Sequence, residues 1–231
     1  MDLVWSGSRQ ALALLADSDR EIWGILRLSL QVSGCATLIS LALGVPAGAV
    51  LALARFPGRG LLVSMVNTGM GLPPVVVGLF VTLLLWRGGP FGDLEILYTP
   101  AAIVIAQAVL AAPIVTGITL AAVGQVPREF RLQLLALGAS RVQMVWLVLR
   151  EARLPMLAAV MAGFGGIISE IGASMMVGGN IKGQTRTLTT AMVLETGKGN
   201  FEIAIALALL LLVLIFLVNW LLTAIQQRHA R

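Results

Sequence analysis

The chain has one cysteine, one histidine and one tyrosine in 231 residues, and only 12% of its residues are charged. Cys35 has no partner, so neither a disulfide framework nor a thiolate metal site can be assembled. The lone histidine, His229, sits in the C-terminal tail and leaves no imidazole base for chemistry in the apolar body. That counts against an intramembrane enzyme built on Ser169 or Glu170. No Gly-x4-Gly-Lys-Ser/Thr phosphate loop occurs, so ATP hydrolysis is not expected of this chain. Basic residues interleaved with aromatics on a soluble face are missing too, which sets aside nucleic acid as a partner. In the first twenty residues the longest apolar stretch, "ALALLA", is too short for a secretory h-region. That piece, 1–21, reads as an amphipathic segment lying at a membrane interface.

Apolar sequence, by contrast, is abundant. Hydrophobic residues make up 58% of the chain and mean hydropathy is +0.94, where soluble domains sit near about 45–50% apolar. Charge-free runs occupy 28–54, 61–86, 96–126, 154–169 (continuing past Glu170 to Ile181) and 203–227. A bilayer core of about 30 Å needs about 20 helical residues, and five segments meet that requirement. Barrel strands would be shorter and would alternate in polarity. The expected fold is all-α, a polytopic bundle of about five transmembrane spans. One membrane domain, 22–227, is expected, followed by a short tail, 228–231.

Five spans put the termini on opposite sides, and loop charge then sets the orientation. Residues 55–59, 128–153 and the C-terminal tail hold nine arginines against two acids, a net +7. The opposite segments hold seven bases against eight acids, a net −1. The basic set is expected in the cytoplasm, with the N-terminus outside.

The block 128–153 carries Arg128, Arg131, Arg141, Arg150 and Arg153. Phe130, Leu134 and Leu137 fall at i, i+4 and i+7, one apolar stripe on a helix. Gly138 suits a helix stop, because glycine adopts the left-handed conformation without steric strain. Ser140 and Gln143 then form a Ser-x-x-Gln capping box for a second helix. The spacing predicts helix, turn, helix, a shape suited to sit in another protein's groove.

Here the sequence resembles a family. "LALGASRVQ" followed by "VLREARLP" is similar to the cytoplasmic coupling segment of ABC-importer permeases, the stretch that docks on an ATPase. "GLPPVVVGLFVTLLLWRGGPFG", "LYTPAAIVIAQAVLAAPIV", "ISEIGASMMVGGNIKGQTRTLTTAMVLET" and "GNFEIAIALALLLL" are similar to the tungstate-specific group of these binding-protein-dependent permeases. The chain departs from the broad family at Leu132-Gln133-Leu134, where Glu-Ala-Ala is usual, and at Arg150, where proline is usual.

The resemblance implies a membrane permease subunit that imports an oxyanion, tungstate foremost, received from an extracytoplasmic binding protein. It implies a homodimer with two ATPase subunits below it. No cofactor is expected in this chain, and ATP and Mg would be bound by the partner ATPase. The bacterial or archaeal cytoplasmic membrane is the implied location. Arg128, Glu129, Arg131, Gly138, Ala139, Ser140 and Arg141 are the candidate ATPase-coupling residues, in a segment spanning 127–153. Permeases for molybdate, sulfate or phosphate are alternatives, as is a channel or secondary transporter that needs no ATPase.

Inside the spans, Glu170 is the one deep ionisable group. Such residues normally face protein or water, and a carboxylate would repel a dianion, so packing or gating is favoured over ligation. Ser169 and Gly172 flank it in "SEIGA". Pro73 and Pro74 remove two backbone donors in "NTGMGLPPVVVG", leaving either a proline kink or a broken helix lining a passage, with Asn67 its polar candidate. In "VGGNIKGQTRTLTT", Asn180, Lys182 and Arg186 are candidates for an outer anion or binding-protein contact, with a plain solvated loop as the alternative.

Overall fold

Thirty-four consecutive residues, Arg20–Leu53, wind into the first helix, α1, and its small side chains decide what packs against it. Ser29, Ser33, Ala36, Ser40, Gly44 and Gly48 recur every three or four residues and are all buried. From Ser33 onward they form the stripe that receives α4, Pro100–Gly124. A Cβ added at Gly48 would fall 2.6 Å from Thr116 O, and one at Gly44 would fall 2.8 Å from Val115 Cγ1. Close approach of two apolar helices needs small residues at these positions, because lipid supplies no hydrophobic drive for helix association. The Ser40 hydroxyl lies 2.8 Å from Ala36 O and 3.2 Å from Ala108 O, so it can donate across the interface.

This computed structural model describes residues 20–229 together with Trp5 and Arg9. The expected interfacial segment 1–21 therefore lies almost wholly outside the described residues, as does the end of the tail. The described residues form only helices, turns and loops. After α1 come α2 (Arg59–Met70), α3 (Pro74–Leu85), a 3-10 turn (Gly92–Leu94), α4, α5 (Arg128–Ala136) and α6 (Arg141–Glu151). The chain ends with α7 (Arg153–Ile168), α8 (Gly172–Gly178), α9 (Leu188–Gly197) and α10 (Phe201–His229). The all-α bundle is as expected.

By length and composition, α1, α4 and residues 201–227 of α10 can each cross a membrane unaided. The other two runs cannot do so as straight rods. Residues 59–85 divide into α2 and α3, bent by 103°, and 153–178 divide into α7 and α8, bent by 59°. The run 61–86, continuous in hydropathy, is thus two helices of 12 residues, each roughly 18 Å long at 1.5 Å per residue. Neither half spans about 30 Å alone. The cause is local: Pro74 occupies the first helical turn of α3, and Pro73 before it is extended, at φ −64° and ψ 124°. The alternative of a simple proline kink does not describe this geometry.

Buried apolar residues bind these pieces in three places. Val32, Val77, Val81, Ile103, Ile167 and Val177 join α1, α3, α4, α7 and α8. Ile22, Ile25, Phe164, Leu188, Leu207 and Leu210 join the start of α1 to α7, α9 and α10. Val123, Val126, Val148 and Ala152 pack with Leu53 and Phe130, which fixes α5 and α6 at the far end of α1. Every one of the twelve residues of α2 stays unburied.

Candidate functional site

The two helix breaks meet. A Cβ at Gly78 of α3 would fall 2.7 Å from Ala173 Cα, and one at Gly172 would fall 2.8 Å from Val75 Cγ2. The gap between α7 and α8 is closed by Glu170, which is 9% exposed. Its Oε1 accepts from Ala173 N at 3.0 Å, and its Oε2 accepts from Ser174 N at 3.1 Å and Ser174 Oγ at 3.3 Å. A carboxyl group there satisfies N–H groups that the helix start leaves without partners. Glu170 is thus held by groups of its own chain. Its carbonyl accepts from Thr189 Oγ1 at 3.1 Å, tying the break to α9.

Behind Glu170 runs a buried polar chain that sequence reasoning missed. Ser33 Oγ donates to Gln107 Oε1 at 3.1 Å, and Gln107 Nε2 donates to Ile167 O at 3.0 Å. The same amide lies 3.4 Å from Ser174 Oγ. Gln107 is 2% exposed and links α1, α4, α7 and α8. Its signal was legible as an amide in the middle of an apolar run, where polar groups find partners on neighbouring helices.

The structure brings Pro73, Pro74, Glu170 and Gly172 together around this junction. Pro73, Pro74 and Ser169 are exposed, and Ser169 Oγ donates to Gly165 O at 2.8 Å within its own helix. Asn67 is exposed on α2, before the break. Asn180 stands apart, beyond the far end of α8. It takes φ +51°, donates from Nδ2 to Thr190 O at 3.3 Å, and keeps Oδ1 buried without a partner.

Lys182 and Arg186 close on a residue that the sequence reading did not single out. Lys182 Nζ lies 2.6 Å and Arg186 Nη1 3.2 Å from the carboxylate of Glu21 at the start of α1. Beside them is a cavity of about 550 Å³, lined by Arg20, Glu21, Arg27, Gln31, Lys182 and Arg186 among others. Nearby, Asn200 Nδ2 and Lys198 Nζ each donate to Glu195 at 2.7 Å. The Asn200 hydrogen bond first, then Lys198, holds the Glu195 carboxyl below the usual glutamate range.

At the opposite end, α5 and α6 form the expected hairpin. Gly138 takes φ +87°, and Ala139 N donates back to Leu134 O at 3.0 Å. Ser140 Oγ accepts from Gln143 N at 3.3 Å while Ser140 N donates to Gln143 Oε1 at 2.8 Å, completing the capping box. The apolar stripe needs correcting. Phe130 packs inward on Val126 and Val148, Leu134 is half-buried, and Leu137 lies past the helix end, 85% exposed. The outward apolar face is instead Leu132, Leu135, Leu137, Val142 and Trp146. Arg128, Glu129 and Arg141 are exposed, while Arg131 and Ala139 are half-buried. Arg150 stacks over the Trp146 ring at 5.5 Å from its centroid.

Three comparisons place this geometry. The sequence profile of the family described as "Binding-protein-dependent transport system inner membrane component" matches residues 44–231. The chain is 37% identical to the tungstate uptake system permease protein TupB of Peptoclostridium acidaminophilum, over 98% of this chain and all of that one. It is 43% identical to a probable anion ABC transporter permease protein of Haloferax volcanii, over 77% of this chain and 79% of the other. Its fold superposes on an inward-facing structure of the MetNI methionine ABC transporter with a TM-score of 0.75, covering 92% of this chain and 99% of that one at 19% identity.

Proposed function

Because the chain belongs to the family of binding-protein-dependent transport system inner membrane components, we propose that it is the permease subunit of an ATP-driven importer of an oxyanion, with tungstate the anion carried. It is a multi-pass inner-membrane protein, and its family implies an ATPase partner and a substrate-binding protein. The observation that carries the reading is the capped hairpin of α5 and α6, rigid and rich in arginine, at the end of α1 remote from Lys182 and Arg186. The substrate rests on the full-length similarity to a tungstate uptake permease.

In this reading two copies of the chain enclose the passage and two ATPase subunits grip the hairpins. Each hairpin offers Leu132, Leu135 and Val142 to an apolar groove, with Arg128 and Arg141 beside them for acidic partners. Its capping box and positive-φ glycine make it a stiff lever, so ATP-driven approach of the ATPases is transmitted through Val148 and Leu53 to α1 and α4. ATP and Mg belong to the partner, and this chain contributes no catalytic group. The N-terminus and the 182–186 loop face outward, where the binding protein delivers the anion, and the C-terminus lies in the cytoplasm.

The passage runs by the two breaks. Glu170 already occupies the N–H donors at the start of α8, so the dianion is not ligated there. A break held by a few hydrogen bonds can change its angle more readily than a continuous helix, which suits a gate.

The test is reconstitution of the chain with a candidate ATPase and binding protein. Tungstate-loaded binding protein is expected to stimulate ATP hydrolysis and uptake. Stimulation by sulfate without tungstate would overturn the substrate, and tungstate uptake with no ATPase present would overturn the class.

A further inference from the structure

Between α1, α2 and α4 lies a groove that the transport reading does not use. Its volume is about 640 Å³, within the range of roughly 300–1,000 Å³ typical of small-molecule sites. Pro46 and Val50 of α1, Phe56 of the following loop, Leu62 and Met65 of α2, and Pro113 of α4 line it. The one hydroxyl in the lining, Thr116 Oγ1, donates to Ala112 O at 2.7 Å within its own helix. The body of the groove therefore presents no free side-chain donor, and an occupant there must be apolar.

The chain bordering the groove has the opposite chemistry. Arg55 immediately precedes the lining residue Phe56 in the short loop after α1, Arg59 opens α2, and no acid lies between them. Arg59 Nε donates to Leu51 O at 2.6 Å, which pins that guanidinium at the edge of the groove, since Leu51 lines it. Gly58 at φ +85° makes the turn that brings Arg59 back onto α1. Neither arginine forms an ion pair among the described residues. An apolar slot ending at two uncompensated cations matches one kind of molecule in a bilayer, an acyl chain ending in a negative headgroup.

We propose that this groove is a binding site for an anionic phospholipid, in the leaflet on the side of the α5–α6 hairpin. One acyl chain lies between α2 and α4, against Met65 and Pro113, and the phosphate sits at Arg55 and Arg59. The lipid covers part of α2, which buries no residue within the chain, and seats that half-helix against α4 beside the break at Pro73.

The test uses the purified full-length chain equilibrated with an equal mixture of phosphatidylglycerol and phosphatidylcholine, with retained lipid counted by native mass spectrometry. Preferential retention of phosphatidylglycerol is expected. Arg55→Gln should lower that preference about fivefold and Arg55→Gln with Arg59→Gln roughly thirtyfold, on the attraction of a basic residue at an anionic membrane surface. Met65→Trp, which fills the slot, should release both lipids. Among the described residues the exposed Arg55 side chain forms no ion pair that its loss would break, so that variant reads binding without a folding defect. Equal retention of the two lipids, or a preference unchanged in Arg55→Gln, overturns the site. So does a disulfide between copies formed by Met65→Cys in a Cys35→Ala background, which would show the groove covered by a second copy of the chain.

Discussion

At one end of α1, Lys182 and Arg186 close on Glu21 at 2.6 and 3.2 Å. At the other end of that helix, roughly 50 Å away by its rise per residue, Arg128, Arg131, Arg141, Arg150 and Arg153 form no ion pair among the described residues. Both regions are basic loops in sequence, but they use their charge differently. The first is compensated internally and ties a loop to the start of a helix. The second is carried on a hairpin that is rigid without its charges, through a capping box and a left-handed glycine. A rigid element with uncompensated charge and an exposed apolar face is built to meet something else. A compensated loop is first of all part of the fold.

The largest expected effect tests the rigidity of the hairpin. Gly138→Val places a β-branched residue at φ +87°, a strain of about 1–3 kcal/mol, with open space around its Cβ. Binding-protein-stimulated ATP hydrolysis in the reconstituted complex should fall about tenfold or more. Gly138→Asn should keep most of it, because asparagine tolerates that conformation. Equal loss in both variants would mean that side-chain bulk at the turn, and not backbone conformation, is what matters.

Next comes the charge of the hairpin itself. Arg128→Gln with Arg141→Gln should leave thermal stability within about 0.5 kcal/mol, as for exposed residues generally. Association with the ATPase should weaken severalfold, and the remaining binding should depend less on salt. An unchanged salt dependence would remove these arginines from the interface.

Glu21→Gln asks whether the compensated end is only structural. Partly exposed pairs contribute about 1 kcal/mol or less, so the melting temperature should fall by about 2–4 °C with tungstate uptake largely kept. If uptake collapsed while stability held, the cavity beside Lys182 and Arg186 would belong to the transport route.

The smallest effect concerns Glu195. Its carboxyl is held below the ordinary range, chiefly by Asn200 and then by Lys198, so its contribution to stability is present above the ordinary glutamate value of about 4.3. That contribution is lost as pH falls through the lowered folded value. Asn200→Ala should move the carboxyl back toward the ordinary range and flatten this acid-side loss, as read from melting temperature against pH.

The hairpin was legible residue by residue, because helix stops and capping boxes are local chemistry within four positions. Its outward face was not. The spacing of Phe130, Leu134 and Leu137 fits one stripe, but only Phe130 packs on the cluster of Val126 and Val148, while Leu137 falls past the helix end and is exposed with Leu132, Leu135 and Val142. The break at Pro73 and Pro74 could be foreseen as a loss of backbone donors, whereas its 103° angle depends on the fit of α3 against α8 through Gly78 and Ala173. Glu170 stood out as an acid in a span, but its hydrogen bonds depended on Ala173 and Ser174 lying at the start of a separate helix.

Hydropathy, charge asymmetry and short capping motifs determined that this is a helical membrane protein with a basic elbow, because each depends on a residue and its near neighbours. The pairing of Lys182 and Arg186 with Glu21, about 160 positions earlier in the chain, and the bridge from Gln107 to Ser33 and Ile167 were decided only by the tertiary structure. Partners so distant in sequence meet only when α1, α4 and α7 pack side by side, and packing is a property of whole helix surfaces that no local pattern encodes.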